Sequence, residues 1–173
     1  MNLTIIGTGY VGLVTGACFA EFGYSVTCID KDNKRLELLQ SGKCPFFEPG
    51  MDELLDKHIN KTKLISFAST IKNNLENTDI IFITVGTPTR RFEDEADLSF
   101  VWQVAEEIAE NINKYCLVVT KSTVPVGTTR EVKKIISNKI DQKLFDVVSN
   151  PEFLREGSAI NDFIRPDRVV IGT

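Results

Sequence analysis

Gly7, Gly9 and Gly12 fall at G-x-G-x-x-G spacing in Gly7-Thr8-Gly9-Tyr10-Val11-Gly12. A carboxylate, Asp30, follows roughly 20 residues further on. In such a pattern Gly7 permits a tight turn, Gly9 lets a pyrophosphate approach the backbone, and Gly12 lets the next helix pack close to the sheet. Free N–H groups at the helix start, at the positive end of its dipole, hold the phosphates. Asp30 accepts hydrogen bonds from ribose hydroxyls and repels a 2′-phosphate, which favours NAD over NADP. Lys34 and Arg35 lie nearby, and two readings of them stand: contact with the nucleotide, or solvated helix surface. A glycine turn alone is a weak signal. Its place between a strand and a helix, with the acid behind it, is what makes it specific.

Other polar groups stand at expected strand ends. Ser122 and Thr123 offer hydroxyls, and Glu152 and Glu156 are four apart, so they share a face if the segment is helical. A carboxylate beside a bound nicotinamide acts as general base for alcohol oxidation, directly or through a water. The competing reading makes Thr123 a helix cap and pairs the glutamates with a helix dipole. Gly86-Thr87-Pro88-Thr89 closes a strand at its carboxyl end, where ligands bind in doubly wound sheets; the alternative is a simple turn.

These groups need a scaffold, and the apolar pattern supplies one. Residues 3–6 form a short β-branched run that reads as a buried strand. A helix follows over about 11–22, stopped by Gly23, and residues 25–29 form a second strand ending at Asp30. The pattern predicts a helix over about 32–40, a loop over 43–50 punctuated by proline and glycine, and a helix over about 51–60. Residues 63–67 read as a third strand, with a short helix capped by Ser69 or Thr70 and reaching Leu75. Residues 80–85 are a continuous apolar run, as in a central parallel strand covered on both faces. Residues 90–97 form a charged, solvated loop. A helix over about 99–113 carries Val101, Val104, Ala105, Ile108 and Ile112 on one face, with Trp102 partly exposed beside them. Strands over 116–120, 145–148 and 168–171 follow, with helices over about 129–138 and from near Glu156. This alternation predicts an α/β fold over residues 1–173: a doubly wound, Rossmann-like, mostly parallel sheet with helices on both faces.

Composition narrows the function classes. A net charge of −4 without a basic block argues against nucleic acid. No apolar run is long enough to cross a membrane, and the N-terminus enters a strand with no leader pattern before it, so a cytoplasmic location is expected. Cys18, Cys28, Cys44 and Cys116 are scattered without metal-ligand spacing. The first, second and fourth of these read as buried thiols, while Cys44 lies in a loop. The single histidine, His58, reads as a surface residue. With one histidine, neither a zinc site nor a Ser-His-Asp triad is expected, and no metal is assigned.

Six segments appear in one order: Gly7-Thr-Gly-Tyr-Val-Gly12, Phe47-Glu-Pro-Gly50, Val85-Gly-Thr-Pro-Thr89, Lys121-Ser-Thr-Val-Pro-Val-Gly127, Ser149-Asn-Pro-Glu-Phe-Leu-Arg-Glu156 and Pro166-Asp-Arg-Val-Val-Ile-Gly172. Together they resemble the NAD-binding domain of the UDP-glucose 6-dehydrogenase family, over essentially the whole chain. The resemblance implies a double oxidation of the C6 alcohol of UDP-glucose to UDP-glucuronate, through an aldehyde and a thioester on an enzyme cysteine, with two NAD⁺ reduced. It implies that Asp30 and Arg35 bind the adenosine ribose, and that Val85, Gly86, Thr87, Pro88, Thr89, Ser122, Thr123 and Val124 line the cofactor. Thr123 would help hold a catalytic water, and Glu152 would be the acid/base partner in thioester hydrolysis. Glu152, Phe153, Leu154, Arg155 and Glu156 would contribute to the sugar-nucleotide site, with Glu156 near the nicotinamide.

One departure qualifies the activity. In the family the nucleophilic cysteine and its supporting lysine, asparagine and aspartate lie beyond the matching stretch, and none of the four cysteines here follows that motif. The family's dimer-building central helix and its UDP-binding domain also lie beyond the matching stretch, so they are not expected within residues 1–173. The expectation is a chain that binds NAD but does not complete turnover alone. UDP-N-acetylmannosamine and GDP-mannose dehydrogenases share the mechanism, but Pro125-Val-Gly127 and the 166–172 segment favour the UDP-glucose branch. A non-catalytic NAD-binding module is the reading from another class, and the Glu152–Glu156 pair tells against it. Enzymes of the 3-hydroxyacyl-CoA or 6-phosphogluconate dehydrogenase type fit the 122–125 and 150–153 segments poorly.

Overall fold

The computed structural model describes residues 1–89 and 96–173. The 90–95 part of the charged loop expected over 90–97 lies outside them. Six strands are present among the described residues: β1 (Asn2–Ile6), β2 (Ser25–Ile29), β3 (Ile65–Ala68), β4 (Ile80–Ile83), β5 (Cys116–Thr120) and β6 (Phe145–Ser149). They form one sheet in the order β3-β2-β1-β4-β5-β6, and every neighbouring pair is parallel. The order reverses between β1 and β4, so a crevice opens beyond their carboxyl ends, the place where such sheets hold ligands.

Helices cover both faces. On one side lie α1 (Tyr10–Glu21), α3 (Met51–Asp56) and α6 (Ala159–Ile164); on the other lie α4 (Ser99–Asn111) and α5 (Thr128–Ser137). A further helix, α2 (Asn33–Gln40), follows β2, and Asp32 caps it by accepting from Arg35 N–H. The apolar stripe of α4 is buried as the spacing predicts: Val101, Ala105 and Ile108 are inaccessible. In α1 small residues replace a stripe, because the helix is sandwiched. A Cβ at Gly16 would sit 2.9 Å from Cys28 Sγ of β2, so Gly16 sets the approach of α1 to the sheet.

Five expectations need correction. The 168–171 strand does not form; Val169 and Ile171 are exposed, and the segment is anchored by one antiparallel bridge between Ser149 and Gly172. β-branched composition makes a strand only where a neighbour completes the ladder. The 69–75 helix is absent as well. Asn73 takes a left-handed φ of 64°, and the Asn74 side chain donates to Thr70 O and Lys72 O, satisfying the backbone outside a helix. The central apolar strand ends at Ile83, and Thr84 turns its hydroxyl back onto Ile6 O and Gly7 O. Glu152 and Glu156 do not share a helical face, because their segment is irregular up to α6. His58, finally, is buried. After α3 the chain widens into a π-helical turn, Lys57–Lys61, which brings His58 Nε2 within 2.7 Å of Glu21 on α1 and Nδ1 within 3.0 Å of Thr62.

Candidate functional site

The turn after β1 is built by contacts that exclude side chains. Gly7 has a φ of +102°, and a Cβ there would meet Thr84 O at 2.8 Å. A Cβ at Gly12 would lie 1.9 Å from Gly7 O, so Gly12 packs against the turn itself rather than the sheet face. Gly9 differs from both: nothing lies within 4 Å of where its Cβ would be. The first intrahelical bond of α1 runs from Leu13 N–H to Gly9 O, so the N–H groups of Tyr10, Val11 and Gly12 precede the ladder. Open space before unpaired donors is what a pyrophosphate requires.

Asp30, at the end of β2, is fixed from several sides. Its Oδ2 accepts from Thr8 N–H at 2.7 Å, Thr8 Oγ1 at 2.6 Å and Arg35 Nη1 at 3.1 Å, while Oδ1 accepts from Asp32 N–H at 3.0 Å. Burial pushes this carboxyl up, but the Thr8 hydroxyl, the Asp32 and Thr8 N–H groups and the Arg35 charge outweigh it and hold it below the ordinary aspartate value. It is therefore an anion at neutral pH, with acceptor capacity left on Oδ1 for ribose hydroxyls. Arg35 is paired with Asp30, and Lys31 pairs with Glu107 at 2.7 Å, while Lys34 is exposed.

A cavity of about 440 Å³ opens above these groups, lined by Gly7, Gly9, Asp30, Arg35, Val85 and Gly86 among others. Thr87, Pro88 and Thr89 do not line it. Thr87 Oγ1 donates to Thr123 O at 2.8 Å, and Thr89 forms an antiparallel bridge with Ala96. Ser122 is buried and donates to Val85 O at 2.7 Å, tying the loop after β5 to the loop after β4. Thr123 is exposed and Val124 half-buried. Thr123 does not cap α5, whose first turn is preceded by Gly127 in a left-handed conformation.

A second cavity of about 680 Å³ lies beyond β5 and β6, lined by Lys121, Asn150, Glu152, Phe153, Leu154, Arg155 and residues through Val169. Glu152 folds back, its Oε2 accepting from Leu154 N–H at 2.6 Å. Arg155 forms a two-bond pair with Asp162, with Nη2 at 2.7 Å and Nε at 3.1 Å. Glu156 does not line this cavity. Tyr10, whose N–H is among the free donors of the first turn, directs its hydroxyl to Glu48. Burial first, then Glu48, pushes that phenol well above its ordinary value, so it remains a donor.

Two groups in this region escaped the sequence reading. Lys121 sits within its motif unnoticed. It is buried, its Nζ lies 3.1 Å from Asn150 Oδ1 and 5.7 Å from the Phe163 ring centre, and burial lowers its pKa against the raising effect of Glu152. Glu48 sits in the proline-glycine loop, inside the Phe47-Glu-Pro-Gly50 segment that carried the resemblance, but no role followed from that segment. The four thiols are held in the protonated form. Burial pushes Cys18, Cys28 and Cys116 up to about 12 and Cys44 up to about 11. Among the described residues no cluster of His, Cys, Asp and Glu is arranged to hold a metal, and no helix is long and apolar enough to cross a membrane.

The residues present fit an NAD dinucleotide: open space at Gly9, free N–H groups behind it and an ionised, pre-oriented Asp30. Comparison with known proteins agrees. The chain is 52% identical over 172 residues to a UDP-glucose 6-dehydrogenase of Rhizobium meliloti, covering 99% of this chain and 39% of that protein. It is 46% identical to one from Bacillus subtilis, covering 99% and 37%. It therefore spans about two-fifths of the length of these relatives. Among solved structures, a UDP-glucose dehydrogenase from Pyrobaculum islandicum superposes with a TM-score of 0.92 at 40% identity, covering 99% of this chain and 40% of that one. A GDP-mannose dehydrogenase from Pseudomonas aeruginosa gives 0.91 at 36%, covering 99% and 41%. Residues 1–173 match the NAD-binding domain model of the UDP-glucose/GDP-mannose dehydrogenase family, and the chain belongs to that family.

Proposed function

We propose that residues 1–173 form the cofactor domain of a UDP-glucose 6-dehydrogenase, an enzyme that oxidises the C6 alcohol of UDP-glucose to the carboxylate of UDP-glucuronate in two hydride transfers. The observation that carries this reading is the placement of two cavities on one sheet edge. The Gly9–Asp30 cavity takes the dinucleotide, and the Lys121–Glu152 cavity, at the ends of β5 and β6, takes the sugar nucleotide. NAD, when bound, supplies the hydride acceptor.

In this assignment the first turn of α1 neutralises the pyrophosphate and Asp30 receives the adenosine ribose, with Arg35 holding Asp30 in place. Val85 and Gly86 form the cavity wall. Thr87, Pro88, Thr89, Ser122 and Val124 complete the cofactor side, Ser122 by fixing the loop and Thr123 by presenting a hydroxyl to a catalytic water. Glu152 takes and returns the proton in the hydrolytic step, and the 153–156 segment holds the sugar nucleotide, with Glu156 towards the nicotinamide. Burial keeps the four cysteines protonated near neutral pH, and in this proposal the nucleophile lies outside residues 1–173. The proposed setting is cytoplasmic, within a homo-oligomer of the whole enzyme.

UDP-N-acetylmannosamine or GDP-mannose as substrate is the second reading; the likeness in fold to the GDP-mannose enzyme supports it, and the higher identity to UDP-glucose enzymes supports the first. Calorimetric titration of the chain with NAD⁺, NADP⁺ and UDP-glucose tests the proposal. NAD⁺ binding much tighter than NADP⁺ is expected, and equal affinity for both would overturn the role of Asp30.

A further inference from the structure

The 43–50 loop carries a carboxylate that the proposed reaction does not use. Glu48 is only 6% exposed. Its Oε2 accepts from the Tyr10 hydroxyl and from Gly157 N–H at 2.8 Å, and its Oε1 from Ile160 N–H at 3.3 Å. Among the described residues no basic side chain pairs with it, so two backbone amides and a phenol alone compensate its burial. The Tyr10 hydroxyl also accepts from Gly157 N–H at 3.1 Å and lies 3.4 Å from Arg155 O.

Both side chains are locked locally. Gly50, in a left-handed conformation, turns the chain into α3, where Met51 is fully buried and donates its N–H to Glu48 O at 3.1 Å. The Tyr10 ring rests on Phe46, with centroids 4.7 Å apart. Tyr10 belongs to the first turn of α1, and Gly157 follows directly on the 152–156 segment.

We propose that Glu48 is a positioning residue for sugar-nucleotide binding: it fixes the backbone over 155–160 and, through Tyr10, holds the 152–156 segment in register with the dinucleotide turn. Glu48 touches neither ligand. This inference rests on the reading of 152–156 as the sugar-nucleotide segment.

The test is amide hydrogen exchange by NMR at Gly157 and Ile160, with UDP-glucose titrated at the same signals and NAD⁺ affinity measured in parallel. Glu48→Ala removes all three contacts. Glu48→Gln keeps one oxygen and sets an NH₂ group against one of the two amide N–H groups. In Glu48→Ala both amides are expected to exchange about tenfold faster, the scale of one charge-assisted hydrogen bond. In Glu48→Gln one amide speeds up and the other does not. UDP-glucose affinity falls about tenfold in both variants while NAD⁺ affinity stays within about twofold, a split that general destabilisation would not produce. If Glu48→Ala does not fold, Glu48→Gln carries the test. Unchanged exchange overturns the anchoring, and faster exchange with unchanged UDP-glucose affinity overturns the positioning role. A wild-type chain that binds no UDP-glucose overturns the sugar-site reading, whereas the exchange arm reads the anchoring by itself.

Discussion

Thr8 donates both its backbone N–H and its hydroxyl to the same oxygen of Asp30, at 2.7 and 2.6 Å. The glycine turn and the ribose acid are thus one unit, and neither moves without the other. Asp30→Asn is expected to weaken NAD⁺ binding about tenfold or more, the scale of a lost charged hydrogen bond, and to narrow the preference over NADP⁺. Calorimetry with both dinucleotides checks it, and an unchanged ratio would exclude the assignment.

The same pair makes a pH prediction. The folded carboxyl of Asp30 titrates below its unfolded value of about 3.9, so its contribution is fully present above that value. It is lost as pH falls through the folded pKa. Thermal melts between pH 7 and pH 2 should show the wild type losing stability relative to Asp30→Asn only below about pH 4.

Gly9 and Gly12 should separate binding from folding. A Cβ at Gly9 meets nothing within 4 Å, so Gly9→Ala is expected to fold with an unchanged melting temperature and to lose NAD⁺ affinity. A Cβ at Gly12 meets a backbone oxygen at 1.9 Å, which neither residue can yield. Gly12→Ala should cost about 3 kcal/mol or more and lower the melting temperature by roughly 10 °C. Similar melting curves for the two variants would sink this distinction.

Lys121 is a stability liability retained inside a candidate site. Its folded pKa is lowered, so the unfolded chain binds more protons as pH approaches 10, and stability attributable to this residue rises with pH through that window. At pH 7 the buried charge is a cost. Lys121→Met is expected to raise the melting temperature by about 2–4 °C. Differential scanning calorimetry decides it, and a fall would show that the Asn150 and Phe163 contacts outweigh the burial cost.

The cysteines should be inert in the native state. With Cys44 at about 11 and the others at about 12, at most about one thiol in a thousand is ionised at pH 8. A thiol reagent should label none rapidly in the folded chain and four in denaturant. Rapid labelling of a single cysteine would reopen the question of an internal nucleophile.

The middle of the sheet was legible because its strands are short apolar runs buried on both faces, and residues 116–120 and 25–29 match their expected bounds. The phosphate-facing turn was legible for a different reason: few sequences can place three glycines and an acid there. What escaped depends on distant partners. Nothing local marks Glu48 as the acceptor for two amides more than a hundred residues away. His58 followed an acidic helix pattern that pointed outward, until the π-helical turn rotated it against Glu21. The 69–75 segment has Ile71 and Leu75 at helical spacing and buries both, yet the Asn74 side chain satisfies two carbonyls and Asn73 turns the chain in a left-handed conformation, without a helix. Thr87, Pro88 and Thr89 sit in the expected loop, whose shape depends on two pairings no local pattern announces, Thr87 with Thr123 O and Thr89 with Ala96.

The parallel order of the strands also has a consequence for synthesis. Leu3 pairs with Val26 on one side and with Ile80 on the other. None of the six strands of the sheet reaches its neighbour through a hairpin, so β1 is completed only after β4 has emerged from the ribosome. At about 5–20 residues per second that is a wait of roughly 4–15 s. During it the apolar edge of β1 lies bare to other chains. A nascent chain stalled between residues 30 and 80 should therefore be the species that recruits chaperones.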